Sequence, residues 1–327
     1  MQFKITHDGF RIEGETFLSK TVSFLDSIFR GIGQVLFQNN SFAGILFLCG
    51  IFYNSVPFGF AAFFGAVVST LTASLLRADI AQIKSGLFGF NGTLSAIGLL
   101  FFLHPSPLSI GYLVIAAAVS SILMAATLRL FESLKLPTLT APFVFTTLCF
   151  LMACARFGRL ETTQFLPNAG LPQTAHVEGI VSATTFFEGL LKGVSQVFFQ
   201  ENMVTGALFL IGLLIGSRRC FTMAIVGSIM GIACAWLLGA SEPAIRSGAF
   251  GFNSVLTAIA LGSIFLKPNK TAFIYAILGT ALTPVAFAAL SGAFEPIGMP
   301  AMTLPFVVVT WLFILASSNF PAIKINN

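Results

Sequence analysis

Charge is what this chain has least of: 9% of its 327 residues are Asp, Glu, Lys or Arg, 56% are hydrophobic, and the mean hydropathy is +0.92. So little charge excludes an ordinary water-soluble domain, about a quarter of which is charged. Histidine is scarce as well, with three residues, and neither H-E-x-x-H nor C-x-x-C occurs. No metal centre or cofactor is expected, nor an intramembrane enzyme, which needs a nucleophile beside a base. Cys49, Cys149, Cys154, Cys220 and Cys234 lie in or beside apolar blocks and read as small hydrophobes. In a soluble protein the net charge of +5 would suggest nucleic acid, but here the 17 basic residues sit mostly between apolar blocks. Membrane topology accounts for them, and no nucleic-acid partner is expected.

What the chain has in abundance is apolar blocks of about the length a helix needs to cross a hydrocarbon core. Runs such as Ala61 to Leu76 and Gly111 to Leu130 do not alternate, which excludes a lipid-facing barrel. The fold class expected is an all-α polytopic membrane protein, with lipid as its solvent. Residues 1–23 lack the unbroken apolar core of a cleaved signal and read as a retained cytoplasmic tail.

Three stretches recur at an offset of 162 or 163 residues. Phe24 to Gly50 aligns with Phe186 to Gly212, SGLFGFNGTLSAI (from Ser85) with SGAFGFNSVLTAI (from Ser247), and LPTLTAPFVFTT (from Leu136) with MPAMTLPFVVVT (from Met299). The chain thus reads as two homologous transmembrane repeats, 24–155 and 186–318. Between them lies a polar extracytoplasmic linker, 156–185, and a cytoplasmic tail, 319–327, follows. Each repeat offers five candidate spans: 42–56, 57–76, 87–103, 109–130 and 137–155, then 203–217, 221–239, 249–266, 271–290 and 303–318. An odd number inverts the second half relative to the first and places a substrate path at their interface. Basic residues agree: with the N-terminus cytoplasmic, twelve fall on that side (Lys4, Arg11, Lys20, Arg77, Lys84, Arg129, Lys135, Arg218, Arg219, Lys267, Lys270, Lys324). Arg156, Arg159 and Arg246 fall opposite. Phe24 to Phe37 and Phe186 to Phe199 are too short and polar to cross alone and read as re-entrant half-helices beside a conduit.

Matched polar residues carry the chemistry. Gln34 and Gln196 occupy one register of the two half-helices, and an amide both donates and accepts, as a neutral ligand with both kinds of group requires. Alternatively, each Gln ties its half-helix to a neighbour. Phe90 and Phe252, with Leu94 and Leu256 one turn later, define two symmetry-related aromatic faces able to frame a slot for flat solutes. Thr140 and Thr303 lie between two prolines that break the backbone ladder, so a hydroxyl station at the centre of a pore and back-bonding within a helix are both open. An ion-coupled transporter would need an acidic or His residue in mid-span, and Asp79, Glu132, Glu242 and Glu295 fall at span ends.

The G-x-x-Q-V-x-F, G-x-F-G-F-N and L/M-P-x-x-T-x-P-F elements, present in both halves, resemble those of the urea transporter family over nearly all of residues 24 to 318. The resemblance implies five spans and a re-entrant pore half-helix per half, and a homotrimer with one pore per subunit. It also implies channel-like facilitated diffusion of urea across a bacterial inner membrane; an ion-coupled transporter, or a channel for other small neutral amides, is the alternative. By motif position it assigns pore roles to Gln34, Val35, Phe37, Phe90, Leu94 and Thr140, and to Gln196, Val197, Phe199, Phe252, Leu256 and Thr303. Some bacterial relatives carry an acidic residue at the position of Gln196, so this path reads as neutral.

Overall fold

The computed structural model describes residues 3–12, 16–171 and 176–326. A short antiparallel hairpin, β1 (Phe3–Thr6) and β2 (Gly9–Ile12), precedes fourteen helices among the described residues. Seven belong to the first repeat: α1 (Phe17–Gln34), α2 (Ser41–Asn54), α3 (Val56–Leu75), α4 (Ile80–Lys84), α5 (Gly89–Phe102), α6 (Pro107–Phe131) and α7 (Ala141–Cys154). Seven follow in the same order: α8 (Ala183–Ser195), α9 (Met203–Gly216), α10 (Arg218–Leu237), α11 (Glu242–Arg246), α12 (Gly251–Ile259), α13 (Lys270–Phe294) and α14 (Leu304–Ser317). This is a predominantly helical, multi-pass membrane protein.

All ten expected spans are helical, but their lengths differ. Only α3, α6, α10 and α13, of 20 to 25 residues, are long and apolar enough to cross by themselves. The 14-residue helices α2, α5, α7, α9 and α14 reach about 21 Å at 1.5 Å per residue, short of a core of about 30 Å. A helix that stops partway must satisfy its freed backbone groups inside the protein, and Asn91 and Asn253 do so: their Oδ1 atoms accept from Phe143 N at 3.1 Å and Phe306 N at 3.2 Å, at the starts of α7 and α14. The chain also turns sharply after α8, where a 3-10 turn (Gln196–Phe198) leads into α9 at 74°.

Local sequence explains the boundaries. Ser55, Ser106, Ser217 and Asn40 cap α3, α6, α10 and α2, and the prolines of α3 and α6 sit in the first turn, where no N–H is missed. Gly86 and Gly248 have φ of 77° and 81°, and a Cβ on either would collide with the backbone of Gly31 or Gly193. Glycine there lets α1 and α8 press their backbones onto the starts of α5 and α12.

The halves meet through reciprocal contacts. Phe47 on α2 and Phe209 on α9 pack edge to face at 5.2 Å, each over the other half's glycine, Gly212 or Gly50. The offset of 162 becomes 163 within one element: α12 continues into a π-helix, Ala260–Phe265, whose wider turn absorbs the extra residue. Within the N-terminal segment that the sequence marked as a tail, the hairpin docks on α1. Asp26 and Arg30 pair at 2.6 Å, Asp26 also accepts from Phe10 N and Ser41 Oγ, and Arg30 reaches Asp8 at 3.2 Å. A hydrogen bond from Thr6, with Arg30 beside it, holds the Asp8 carboxyl below the usual carboxylate range.

Candidate permeation path

Thr140 and Thr303, separated by 163 positions in sequence, place their hydroxyls 2.7 Å apart. Both are 3% exposed, and each immediately precedes a broken helix, α7 or α14. The residues before them, Leu139 and Met302, adopt left-handed backbone with φ of 51° and 47°, conformations that disfavour branched chains and need surrounding structure to hold them. The paired hydroxyls therefore sit at the junction of the halves, with lone pairs beyond those used between them.

The amides are equally symmetric. Gln34 Nε2 donates to Ser85 O at 3.0 Å and Gln196 Nε2 donates to Ser247 O at 3.1 Å, each carbonyl just ahead of the glycine turn into α5 or α12. Tying a half-helix to its neighbour is thus part of what each Gln does. The side-chain carbonyl and second amide hydrogen have no further hydrogen-bond partner among the described residues in either case, and both residues are half-buried.

Phe37 and Phe199 reach across to the opposite half. Phe37 packs edge to face on Phe265 at 5.9 Å and Phe306 at 6.1 Å; Phe199 packs on Phe102 at 6.0 Å and Phe143 at 6.1 Å, their counterparts. Both carry left-handed φ, 61° and 58°, at the turn ending each half-helix. Val35 and Val197 are buried beside them, and Leu94 and Leu256 are packed at 0% and 1% exposure, supporting the wall rather than presenting surface.

A cavity of about 720 Å³ opens on the second-half side, bordered by Gln196, Val197, Phe199, Phe252 and Thr303. Five of the six second-half residues proposed from sequence therefore share one cavity, and Leu256 is not on its wall. Its rim includes Pro167 and Asn168 from the linker, which the sequence marked only as a polar connection. Thr163 holds the linker down through the carbonyls of Phe101 and Phe102, and Phe165 stacks on Phe101 at 4.6 Å, itself 5.4 Å from Phe199.

Sequence reasoning missed Asn91 and Asn253, although the G-F-N repeat contained the signal. It also missed Thr147 and Thr310, which lie two turns beyond Thr140 and Thr303 on the same helical face, are fully buried, and have no hydrogen-bond partner for their hydroxyls. Among the described residues Asp26 and Arg30 are the only buried charged side chains, and they pair with each other.

A multi-pass helical protein whose halves meet at paired hydroxyls, flanked by matched amides and aromatic rings, has the makings of a passage for a neutral polar solute. Residues 25–318 match the family model described as urea transporter, and the chain belongs to that family. It is 31% identical to urea transporter 1 of Rattus norvegicus over 306 residues, covering 92% of this chain and 79% of the rat protein. Identity is 30% over 316 residues to the Ovis aries protein of the same name and 31% over 314 residues to that of Mus musculus, with 93% and 92% of this chain and 80% and 79% of theirs covered.

Proposed function

We propose that this chain is a passive, channel-like pore for urea, formed between two inverted halves, each with five membrane-crossing segments and a re-entrant half-helix. The observation that carries the reading is the Thr140–Thr303 contact, which joins equivalent residues of the two repeats at 2.7 Å inside the protein. Gln34, Phe37, Phe90 and Thr140 form one side of the path and Gln196, Val197, Phe199, Phe252 and Thr303 the other, with Val35, Leu94 and Leu256 packed behind them. Thr147 and Thr310 extend the line of hydroxyls outward.

The chemistry suits urea. Its planar face lies against the phenylalanine rings while its carbonyl and N–H groups exchange water for hydroxyl and amide partners, each neutral hydrogen bond contributing a net of about 0.5–1.5 kcal/mol. Such shallow binding permits release, as conduction requires. An ion at the level of the uncharged threonines and glutamines would lose several kcal/mol of hydration without an opposite charge beside it. Because Asp26 is committed to Arg30, Ser41 and Phe10, no buried carboxylate is left for an ion-coupled mechanism among the described residues. The distribution of basic residues supports cytoplasmic termini; a homotrimer in a bacterial inner membrane is the arrangement that the resemblance of the motifs favours.

Stopped-flow light scattering on proteoliposomes provides the test. Urea should equilibrate rapidly without any ion gradient, and flux that requires Na⁺ or a proton gradient would overturn the passive reading.

A further inference from the structure

The sequence repeat gives one groove two chemistries. In the second half, where α10 and α13 begin, a cavity of about 560 Å³ is bordered by Arg219, Lys270, Asn269, Pro268, Phe273 and Ile274. Arg218 adjoins it in sequence, and Lys267 pairs through its backbone with Lys324 of the C-terminal segment at 2.8 Å. None of these five cations forms an ion pair among the described residues, whereas Lys192 and Arg246 elsewhere in the same half both do. Arg218 and Lys270 are the first residues of their helices, the end at which the backbone dipole opposes positive charge. The cluster therefore lacks its counter-charge. Immediately beyond it Phe273 and Ile274 are 51% and 61% exposed on the first turns of α13.

The corresponding positions of the first repeat are Val56 and Pro57 for the arginines and His104, Pro107 and Glu161 for the lysines. The backbone unit is retained there, the positive charge is gone, and Glu161 puts a negative one where Lys324 stands. Resting on the inverted orientation proposed above, the two grooves open towards opposite leaflets, and only the cytoplasmic one is basic. A general excess of cytoplasmic cations accounts for the sign but not for their gathering around a cavity with an apolar floor.

We infer that the Arg219–Lys270 groove binds the headgroup of an anionic phospholipid, its phosphate meeting the cations and its acyl chains lying along Phe273 and Ile274. Basic cavities between membrane helices on the cytoplasmic side suit such headgroups, and here the occupant supplies both the missing charge and the cover for exposed apolar side chains.

The test uses the full chain, purified in mild detergent and stripped of lipid, with lipid retention followed by native mass spectrometry. Dioleoylphosphatidylglycerol should bind well above dioleoylphosphatidylcholine, and R219Q/K270Q should weaken it about thirtyfold, at the per-cation strength found near membrane surfaces. R219K/K270R, which keeps both charges, should bind within about threefold of the parent. Equal retention of the two lipids, undiminished phosphatidylglycerol binding in R219Q/K270Q, or equal loss in both variants would overturn the assignment. Displacement of the lipid by inorganic phosphate at matched concentration would overturn it too, identifying a free-anion site instead. Urea flux of the variants in neutral-lipid vesicles separates this test from that of the pore: it should match the parent whichever lipid result is obtained.

Discussion

Phe252 borders an open cavity and packs edge to face on Phe287 at 5.7 Å, whereas Phe90, its counterpart, is 6% exposed and Met124 stands where Phe287 does. Glu295 lines the same cavity with Gly292 one turn before it; at the corresponding positions of the first repeat Glu132 is held by Arg129 at 2.6 Å. Towards the centre the differences vanish: the threonines touch, the glutamines make the same bond, and the cross-half rings keep matching distances. In the pore proposed above, duplication constrains the middle, where one residue faces its own counterpart, and leaves the two ends free to diverge.

The largest effect should come from removing the feature on which both halves depend. Gly86→Ala or Gly248→Ala forces a side chain into a left-handed turn, at a cost of about 1–3 kcal/mol, and drives a Cβ into the backbone of Gly31 or Gly193. Both variants should lose assembly, seen as a shift from a single peak to aggregate in size-exclusion chromatography. A well-folded variant of either kind would show that the close approach of the half-helix is dispensable.

The aromatic pair sharpens the comparison. Sequence symmetry implies like behaviour, but the burial does not. Phe90→Ala leaves a cavity in packed surroundings and should cost about 3–5 kcal/mol, read as a fall in Tm. Phe252→Ala removes one wall of an open vestibule, so it should keep most of its stability while passing methylurea and glycerol more readily relative to urea. Equal Tm losses in the two variants would erase the distinction between the mouths.

Smaller effects are expected at the amides. Gln34→Leu and Gln196→Leu each remove a hydrogen bond to a serine carbonyl, worth about 0.5–1.5 kcal/mol, together with one polar partner in the path. Urea flux should fall several-fold, and by similar factors in the two variants, because the geometry at this depth is the same. Lowered stability with unchanged flux would leave the glutamines as ties alone.

Much of this was legible in the sequence because the repeat compares the protein with itself. Gln34 with Gln196 and Thr140 with Thr303 stood out as matched polar residues in apolar surroundings, which depends only on composition and offset. The contact of the two threonines across the halves was not legible, because it rests on how α7 and α14 begin inside the protein and abut. The spans themselves were placed to within a few residues, but hydropathy does not show that Asn91 or Asn253 will satisfy a helix that begins inside the protein. The hairpin was hidden because its anchor is a charge pair, Asp26 with Arg30, which in sequence looks like a solvated helix face. The π-helix was visible only as a change of offset from 162 to 163.

The most direct measurement is the urea flux of T140V/T303V in proteoliposomes, with no ion gradient, beside the parent protein. Replacing both hydroxyls with methyl groups of nearly the same shape leaves neither partner orphaned, so folding and Tm should change little. The solute nevertheless loses its hydrogen-bond partners where the two halves meet. Flux should fall about tenfold, the consequence of losing about 1.4 kcal/mol of compensation at that step. A stable double variant that conducts urea at the parent rate would contradict the claim that the Thr140–Thr303 pair lies on the path.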